Sequence, residues 1–433
     1  MSFGIDDILP SARQIAADVA QGNTTCEAVV RDCLERIESL DKDIGAWVFI
    51  DHARAIEEAR VRDCEGLDGR AGELRGVPIG VKDVFDTADM PTCYGSAAYS
   101  NFRPAADAYS VAALRHAGGI AIGKTVSTEF ACVAPNVTRN PHNNAHTPGG
   151  SSSGSAAAVA AGMVPLALGT QTSGSTIRPA SFCGVVGYKP TFGLIDRTGI
   201  KALSGSLDTV SIFARNVADA GFFAACLSGD YKLGPEAPIE KPRISLYRTP
   251  HWARADSDSQ LAVERTAEML RQQGLIVTEV TAPFGFENLL ELHQTIMGYE
   301  ACRTLAFEDW NKRDLLAEKT CDFLNDARSI SFDAYFDALR ILRILRAKVD
   351  DLYQDCDVLL TPAATGAAPA GLTSTGDPTF NRIWTALHVP CITIPAGRTA
   401  RNLPIGVQFV GKPLGDHLML SAATLAEAAI ARQ

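Results

Sequence analysis

The chain has 433 residues, 46% of them hydrophobic and 21% charged, and a formal net charge of −10. That balance excludes a disordered, coiled-coil or collagen-like chain, and the acidic surplus lacks the electrostatic footprint of a nucleic-acid binder. Eleven cysteines with no CxxC pair, and no HExxH, argue against a zinc site or disulfide framework and for reduced, mostly buried thiols in the cytoplasm.

The opening MSFGIDDILPSARQIAADVAQG has no basic start and no continuous apolar run, so it does not read as a signal peptide. No stretch is apolar for long enough to span a membrane. Residues 1–60 read as a helical segment packed on something larger. Thr24 and Glu27 form a candidate capping box, followed by Val29, Val30, Cys33, Leu34 and Ile37 on one face. Residues 76–84 (GVPIGVKDV) are short and apolar and read as a strand with Lys82 inside it. Residues 107–118 read as a helix and 119–123 as a strand. Two loops of small residues follow, PGGSSSGS at 148–155 and GTQTSGSTIRP at 169–179. Between them lie an Ala-rich helix and a strand over 164–168.

Further on, a strand at 243–248, a helix at 259–272 and a strand at 275–280 make a βαβ unit. Residues 283–355 read as mostly helical and as shaping a pocket. Strands follow at 358–361, 392–395 and 405–410, and a last helix begins at Asp416. The turn-rich stretch 372–381 is a candidate to line a site. Strands alternate with helices throughout, without a linker or an internal repeat. We therefore expect one α/β domain over 1–433, a large mixed sheet covered by helices on both faces, with a catalytic core at 76–211.

A serine nucleophile needs a base to take its proton. The eight histidines include His142 and His146 near the serine loop, but no GxSxG elbow or triad context surrounds them. The other candidate base is Lys82. A lysine in a buried strand loses hydration and turns neutral near pH 7, whereas one on a sheet edge stays charged. Residue spacing alone leaves both readings open.

The run GGSSSGSAAAVAAGMVPLALGTQTSGSTIRPASFCGVVGYKPT at 149–191 resembles the signature of the amidase signature family. GVPIGVKDVFDT at 76–87 resembles its lysine strand, and LPIGVQFVG at 403–411 its C-terminal strand. The resemblance covers nearly the whole chain. It implies a Ser–cis-Ser–Lys triad of Ser175, Ser151 and Lys82, with a cis peptide before Ser151. It implies an oxyanion hole from the N–H groups of Thr172, Ser173, Gly174 and Ser175, and hydrolysis of a small carboxamide without metal or cofactor. Two features depart from the common family pattern. Ser173 stands where a glycine is usual, and Arg178 lies three residues after Ser175 instead of two.

The shifted Arg178 is similar to the malonamidase branch, as are TSTGDPTFNRIWT at 373–385 and TRNPHN at 138–143. That likeness implies that Arg178 grips a substrate carboxylate, as a guanidinium can do bidentately. The alternative is a structural Arg178 paired with a buried acid. Ser152, Tyr299, Asn381, Arg382 and Trp384 are further candidates to bind substrate. Glu129 and Asp208 are expected to buttress the core, and Cys183 to be a small buried residue. The expected partner is a small amide substrate in a cytoplasmic homodimer, with no nucleic acid or membrane. Rival readings are a general amidase for neutral amides and an ammonia-supplying subunit of a tRNA-dependent amidotransferase.

Overall fold

Eleven strands of the described residues join into one sheet. They are β1 (Trp47–Ile50), β2 (Pro78–Lys82), β3 (Ile120–Thr125), β4 (Leu166–Gln171), β5 (Val186–Lys189), β6 (Thr209–Ala214), β7 (Ile244–Tyr247), β8 (Val277–Val280), β9 (Val358–Pro362), β10 (Cys391–Arg398) and β11 (Pro404–Gly411). Their order across the sheet is β1-β3-β2-β4-β6-β5-β10-β11-β9-β7-β8. Strands β3-β2-β4 and β9-β7-β8 run parallel within each group, and the remaining pairings are antiparallel. The structure is a computed structural model, which describes residues 9–67, 72–234 and 237–432. The first eight residues of the opening segment lie outside the described residues.

The helices are α1 (Ala12–Ala20), α2 (Cys26–Ile44), α3 (His52–Leu67), α4 (Tyr109–His116), α5 (Ser153–Ala160), α6 (Ile177–Cys183), α7 (Val217–Ser228), α8 (Ser257–Gln272), α9 (Leu289–Thr304), α10 (Ala306–Asn311), α11 (Glu318–Ala327), α12 (Phe332–Ala347), α13 (Thr379–Ala386) and α14 (Asp416–Ile430). Helices α5 and α6 pack together on one face of the sheet, and α7, α8 and α14 pack together on the other. Strand β11 shows the two faces directly. A Cβ at Gly406 would meet Ser181 of α6, and one at Gly411 would meet Met419 of α14; positions five apart on a strand point to opposite faces. Covered on both sides, β2, β3, β4 and β6 are buried along their whole length. That is why they read as continuous apolar or small-residue runs with no alternation.

The expected βαβ unit forms, with β7 and β8 parallel and α8 between them in sequence. Three strands escape the sequence reading. β1 falls inside the region read as helical, β5 lies at the end of the signature segment as an antiparallel partner of β10, and β6 follows that segment as an antiparallel partner of β4. The capping box shifts by one residue: Thr25, not Thr24, accepts from Ala28 N at 3.1 Å at the start of α2. Glu27 turns outward to Arg31 and Arg60, which answers charge with charge on the surface. No helix among the described residues is long and apolar enough to cross a membrane.

Candidate active site

Parallel strands β2 and β4 are neighbours in register, with Val81 opposite Leu168. Their carboxyl ends therefore open at the same edge, where α/β sheets place ligands. Lys82 ends β2, and the turn after Gln171 carries residues 172–176 into α6. The chain enters α5 at the same place through Gly149, Gly150 and Ser151. Gly149 sits at φ 86°, and a Cβ there would lie 2.7 Å from Pro179 Cα, so only glycine fits. The Gly150–Ser151 peptide is cis.

Lys82 has no solvent exposure. Its Nζ lies 2.7 Å from Ser151 Oγ and 2.7 Å from Thr170 Oγ1. Burial pulls its pKa down to about 7, against the opposing pull of Asp208. Asp208 is itself buried, and burial raises its pKa. It accepts from Thr172 Oγ1 at 2.5 Å and from the N–H groups of Leu203 and Ser204 at 2.9 and 3.0 Å. It therefore anchors the start of the serine turn, the buttress expected of it.

The turn is held from several sides. Gln171 Oε1 accepts from Thr176 N at 3.0 Å and Ile177 N at 3.1 Å, and its amide donates to Thr385 Oγ1 at 3.1 Å. Thr385 Oγ1 donates in turn to Ser173 O at 2.9 Å. His293 Nε2, in α9, lies 2.8 Å from Thr172 O and so carries the proton. Burial takes the His293 pKa down to about 3, so the ring is neutral. Among the described residues the N–H groups of Ser173, Gly174 and Ser175 have no protein acceptor. Uncommitted donors of this kind can stabilise a developing oxyanion.

A cavity of about 420 Å³ opens on this turn. Thr172, Ser173, Ser175 and Arg178 form its floor, joined by Met297 of α9, Phe323 of α11 and Arg382 of α13. Residues 373–376 and Pro378 complete one wall, as expected of the turn-rich loop. Arg178 Nη2 donates to Gly150 O at 2.8 Å and to Thr375 Oγ1 at 3.0 Å. No carboxylate of the described residues pairs with it, and the Nε atoms of Arg178 and Arg382 have no partner. Burial and the neighbouring Arg382 lower the Arg178 pKa to about 9, with Asp377 opposing. Two guanidiniums thus face one small cavity, also lined by Lys319, Asp322 and Asp326, and among the described residues neither makes an ion pair with a carboxylate.

The other candidates sit elsewhere. Trp384 is fully buried in the packing between sheet and helices, edge-on to Tyr247, and does not line the cavity. Tyr299 stacks on Tyr335 at 4.1 Å between ring centres, under Arg303. Its place on α9 turns it away from Met297. Ser152 is buried behind the site, its Oγ 3.3 Å from Thr170 O. Asn381 donates to Ala363 O at 2.9 Å and packs against Gly174 from below. These four are not among the residues that line this cavity and pack around it instead. Their backbone elements were placed by the sequence pattern, whereas the face each presents is set by long-range packing. Glu129 accepts from Ser96 Oγ at 2.7 Å and Ala317 N at 2.9 Å, and Cys183 is a buried thiol against Pro148 O. Thr170, Gln171, His293 and Thr385 were missed. Thr170 and Gln171 stood in a quoted loop without a distinguishing signal, and the other two come from distant helices.

Among the described residues no three His, Cys, Asp or Glu side chains are placed to hold a metal ion. Residues 28–420 match the family model described as Amidase, and the chain belongs to that family, whose signature its Gly/Ser segments carry. A glutamyl-tRNA(Gln) amidotransferase subunit from Anaeromyxobacter sp. (strain K) is 31% identical, over 96% of this chain and 95% of its own length. The native peptide amidase of Stenotrophomonas maltophilia is 29% identical, with a TM-score of 0.83 and 98% of each chain covered. A second solved structure, reported as a vestigial protein complex that reveals the origins of an s-triazine catabolic enzyme, is 27% identical. It superimposes with a TM-score of 0.89 over 97% of this chain and 98% of its own.

Proposed function

We propose that this amidase-family hydrolase acts as one catalytic domain and cleaves a small carboxamide that also carries a carboxylate, malonamate being the simplest case. The observation that carries the chemistry is the contact of buried Lys82 with Ser151 beside the cavity that exposes Ser175. Neutral Lys82 takes a proton from Ser151 Oγ, and Ser151 takes one from Ser175 Oγ. Ser175 Oγ bonds to the amide carbon. The oxyanion that forms is met by the N–H groups of the 172–175 turn, each worth about 3–4 kcal/mol to such a transition state. The tetrahedral adduct collapses, the C–N bond breaks and the relayed proton goes to the nitrogen, which leaves as ammonia. Water then adds to the Ser175 ester, gives up its proton along the same path and releases the acid.

Arg178 and Arg382 support the carboxylate. A buried guanidinium without an acid partner is costly, and a substrate carboxylate would neutralise that cost on binding. The test is ammonia release from malonamate beside a neutral amide of equal size. A preference of ~100-fold in kcat/KM, about 2.7 kcal/mol, fits the clamp. Equal rates would make Arg178 structural and leave a general amidase. Full activity in Ser175→Ala would overturn the mechanism.

A second reading follows from the amidotransferase relatives, in which this chain would release ammonia to a partner. The extent of the match, 96% of this chain and 95% of the relative, favours it. Co-purification of a second, stoichiometric chain from the native host would select it.

A further inference from the structure

Helix α11 forms an outer wall of the cavity that exposes Ser175. It buries Thr320, Leu324 and Ala327 against α9, where a Cβ on Gly298 would lie 3.2 Å from that of Ala327. Lys319, Asp322, Phe323 and Asp326 line the cavity instead. Their spacing of i, i+3, i+4 and i+7 puts all four on one face of the helix. Lys319 stands at the end nearest Arg178. Its Nζ donates to Thr373 O, and Thr375 of the same loop accepts from Arg178. Asp322 and Asp326 lie one and two turns further along, about 5 and 10 Å from Lys319 at 1.5 Å per residue.

An exposed aspartate is ordinarily a solvated surface group. These two differ in place and in partners. Both border the cavity, and among the described residues neither carboxylate has a hydrogen bond or an ion pair. The neighbouring cations are committed elsewhere: Arg313 and Arg328 both pair with Asp309, and Lys319 is held by the loop. The cavity floor has the opposite sign. Arg178 is only 5% exposed and its Nε has no partner. The cavity, about 420 Å³, is of the size that takes drug-sized ligands and exceeds what malonamate fills. We infer that the substrate of this site carries a cationic group at the end away from its carboxylate, held between Asp322 and Asp326 of α11. The inference rests on the carboxylate clamp proposed above. The carboxylate sits on Arg178 and Arg382, and the apolar stem runs past Phe323, whose ring itself attracts a cation. A ligand with both charges matches floor and wall, whereas one with the carboxylate alone leaves the acidic wall unmatched.

The test is calorimetric titration of the full chain with two probes of similar reach, pentanoate and 5-aminopentanoate, which differ by the ammonium. The second should bind on the order of 5–30-fold tighter, the range for two partly exposed ion pairs. Asp322→Asn/Asp326→Asn, with the circular dichroism of the parent, should bring the two probes to equal affinity. Asp322→Lys/Asp326→Lys should make pentanoate the tighter of the two. Arg178→Lys should weaken both and keep their ratio. Pentanoate binding that depends on Arg178, with no gain from the ammonium, overturns this inference and leaves the carboxylate clamp standing. Failure of both probes to bind, or binding that Arg178→Lys does not weaken, overturns the clamp and this inference with it. A preference for 5-aminopentanoate that survives Asp322→Asn/Asp326→Asn places the cation elsewhere and overturns this inference alone.

Discussion

At the level of single residues, Lys82 decides how the site works, because its protonation state is set by the fold. The residue ends β2, which lies between β3 and β4, and among the described residues its Nζ has Ser151 and Thr170 as its hydrogen-bond contacts. With its pKa pulled down to about 7, kcat/KM should climb as pH rises through about 7 and level off above. That limb should vanish in Lys82→Ala, with activity down by roughly 10⁴-fold or more. A profile flat from pH 6 to pH 9 would show that the proton acceptor is another group. Arg178 carries a separate prediction. Arg178→Lys keeps a positive charge but loses the fork that reaches Gly150 and Thr375. Its KM for a carboxylated amide should rise ~10–100-fold while turnover of a neutral amide changes little. Equal losses on both substrates would assign Arg178 to holding the backbone at Gly150.

At the level of elements, the site depends on how closely the serine turn approaches α13. A Cβ on Gly174 would lie 2.4 Å from Asn381 Oδ1 and 3.0 Å from its Cβ. Gly174→Ala should therefore displace the turn, lowering kcat by ~10²-fold or more and stability by about 1–3 kcal/mol. In an Asn381→Ala background the same change should cost less, because the clashing amide is gone. Additive losses in that cycle would rule out the contact as the cause. This approach also marks the limit of what the sequence made legible. The glycines and serines of the two loops, and the strand bearing Lys82, could be read directly, because a backbone that must pass close to other groups admits only small residues. The place of Asn381 behind that turn could not, since nothing local to residue 381 encodes its distance from residue 174. Strands β5 and β6 were lost for a related reason. They pair antiparallel with each other and with β10 and β4, deep in the sheet, so they carry no alternation to set them apart from buried helix. The aromatic residues fared worst. Trp384 and Tyr299 stand in segments that do border the site, yet one ring fills the core and the other is buried in a stack on Tyr335.

For the whole molecule, the half-buried Glu427 and the fully buried Lys82 give stability opposite dependences on pH. Glu427 of α14 accepts from Val217 N at 3.1 Å, and burial, with Asp219 nearby, raises its pKa to about 7. Between the ordinary carboxylate range and pH 7 the folded chain holds this proton more tightly than the unfolded chain does. Stability from this group is thus complete at low pH and is lost as pH rises to about 7. Lys82 behaves in the reverse sense. Between pH 7 and its ordinary value near 10.5 the unfolded chain holds the proton and the folded chain does not, so stability rises with pH across that window. Comparing each variant with the parent chain by denaturant unfolding isolates each group. Glu427→Gln should be neutral near pH 4, gain on the order of 1–3 kcal/mol by pH 7 and keep that margin above it. Lys82→Met should show its largest relative gain, on the order of 5 kcal/mol before the loss of two hydrogen bonds, below pH 7. That gain should fade as pH approaches 10. A Lys82→Met margin that did not change from pH 7 to pH 10 would mean that the ammonium keeps its proton in the folded chain, and the proton relay to Ser175 would then lack its base.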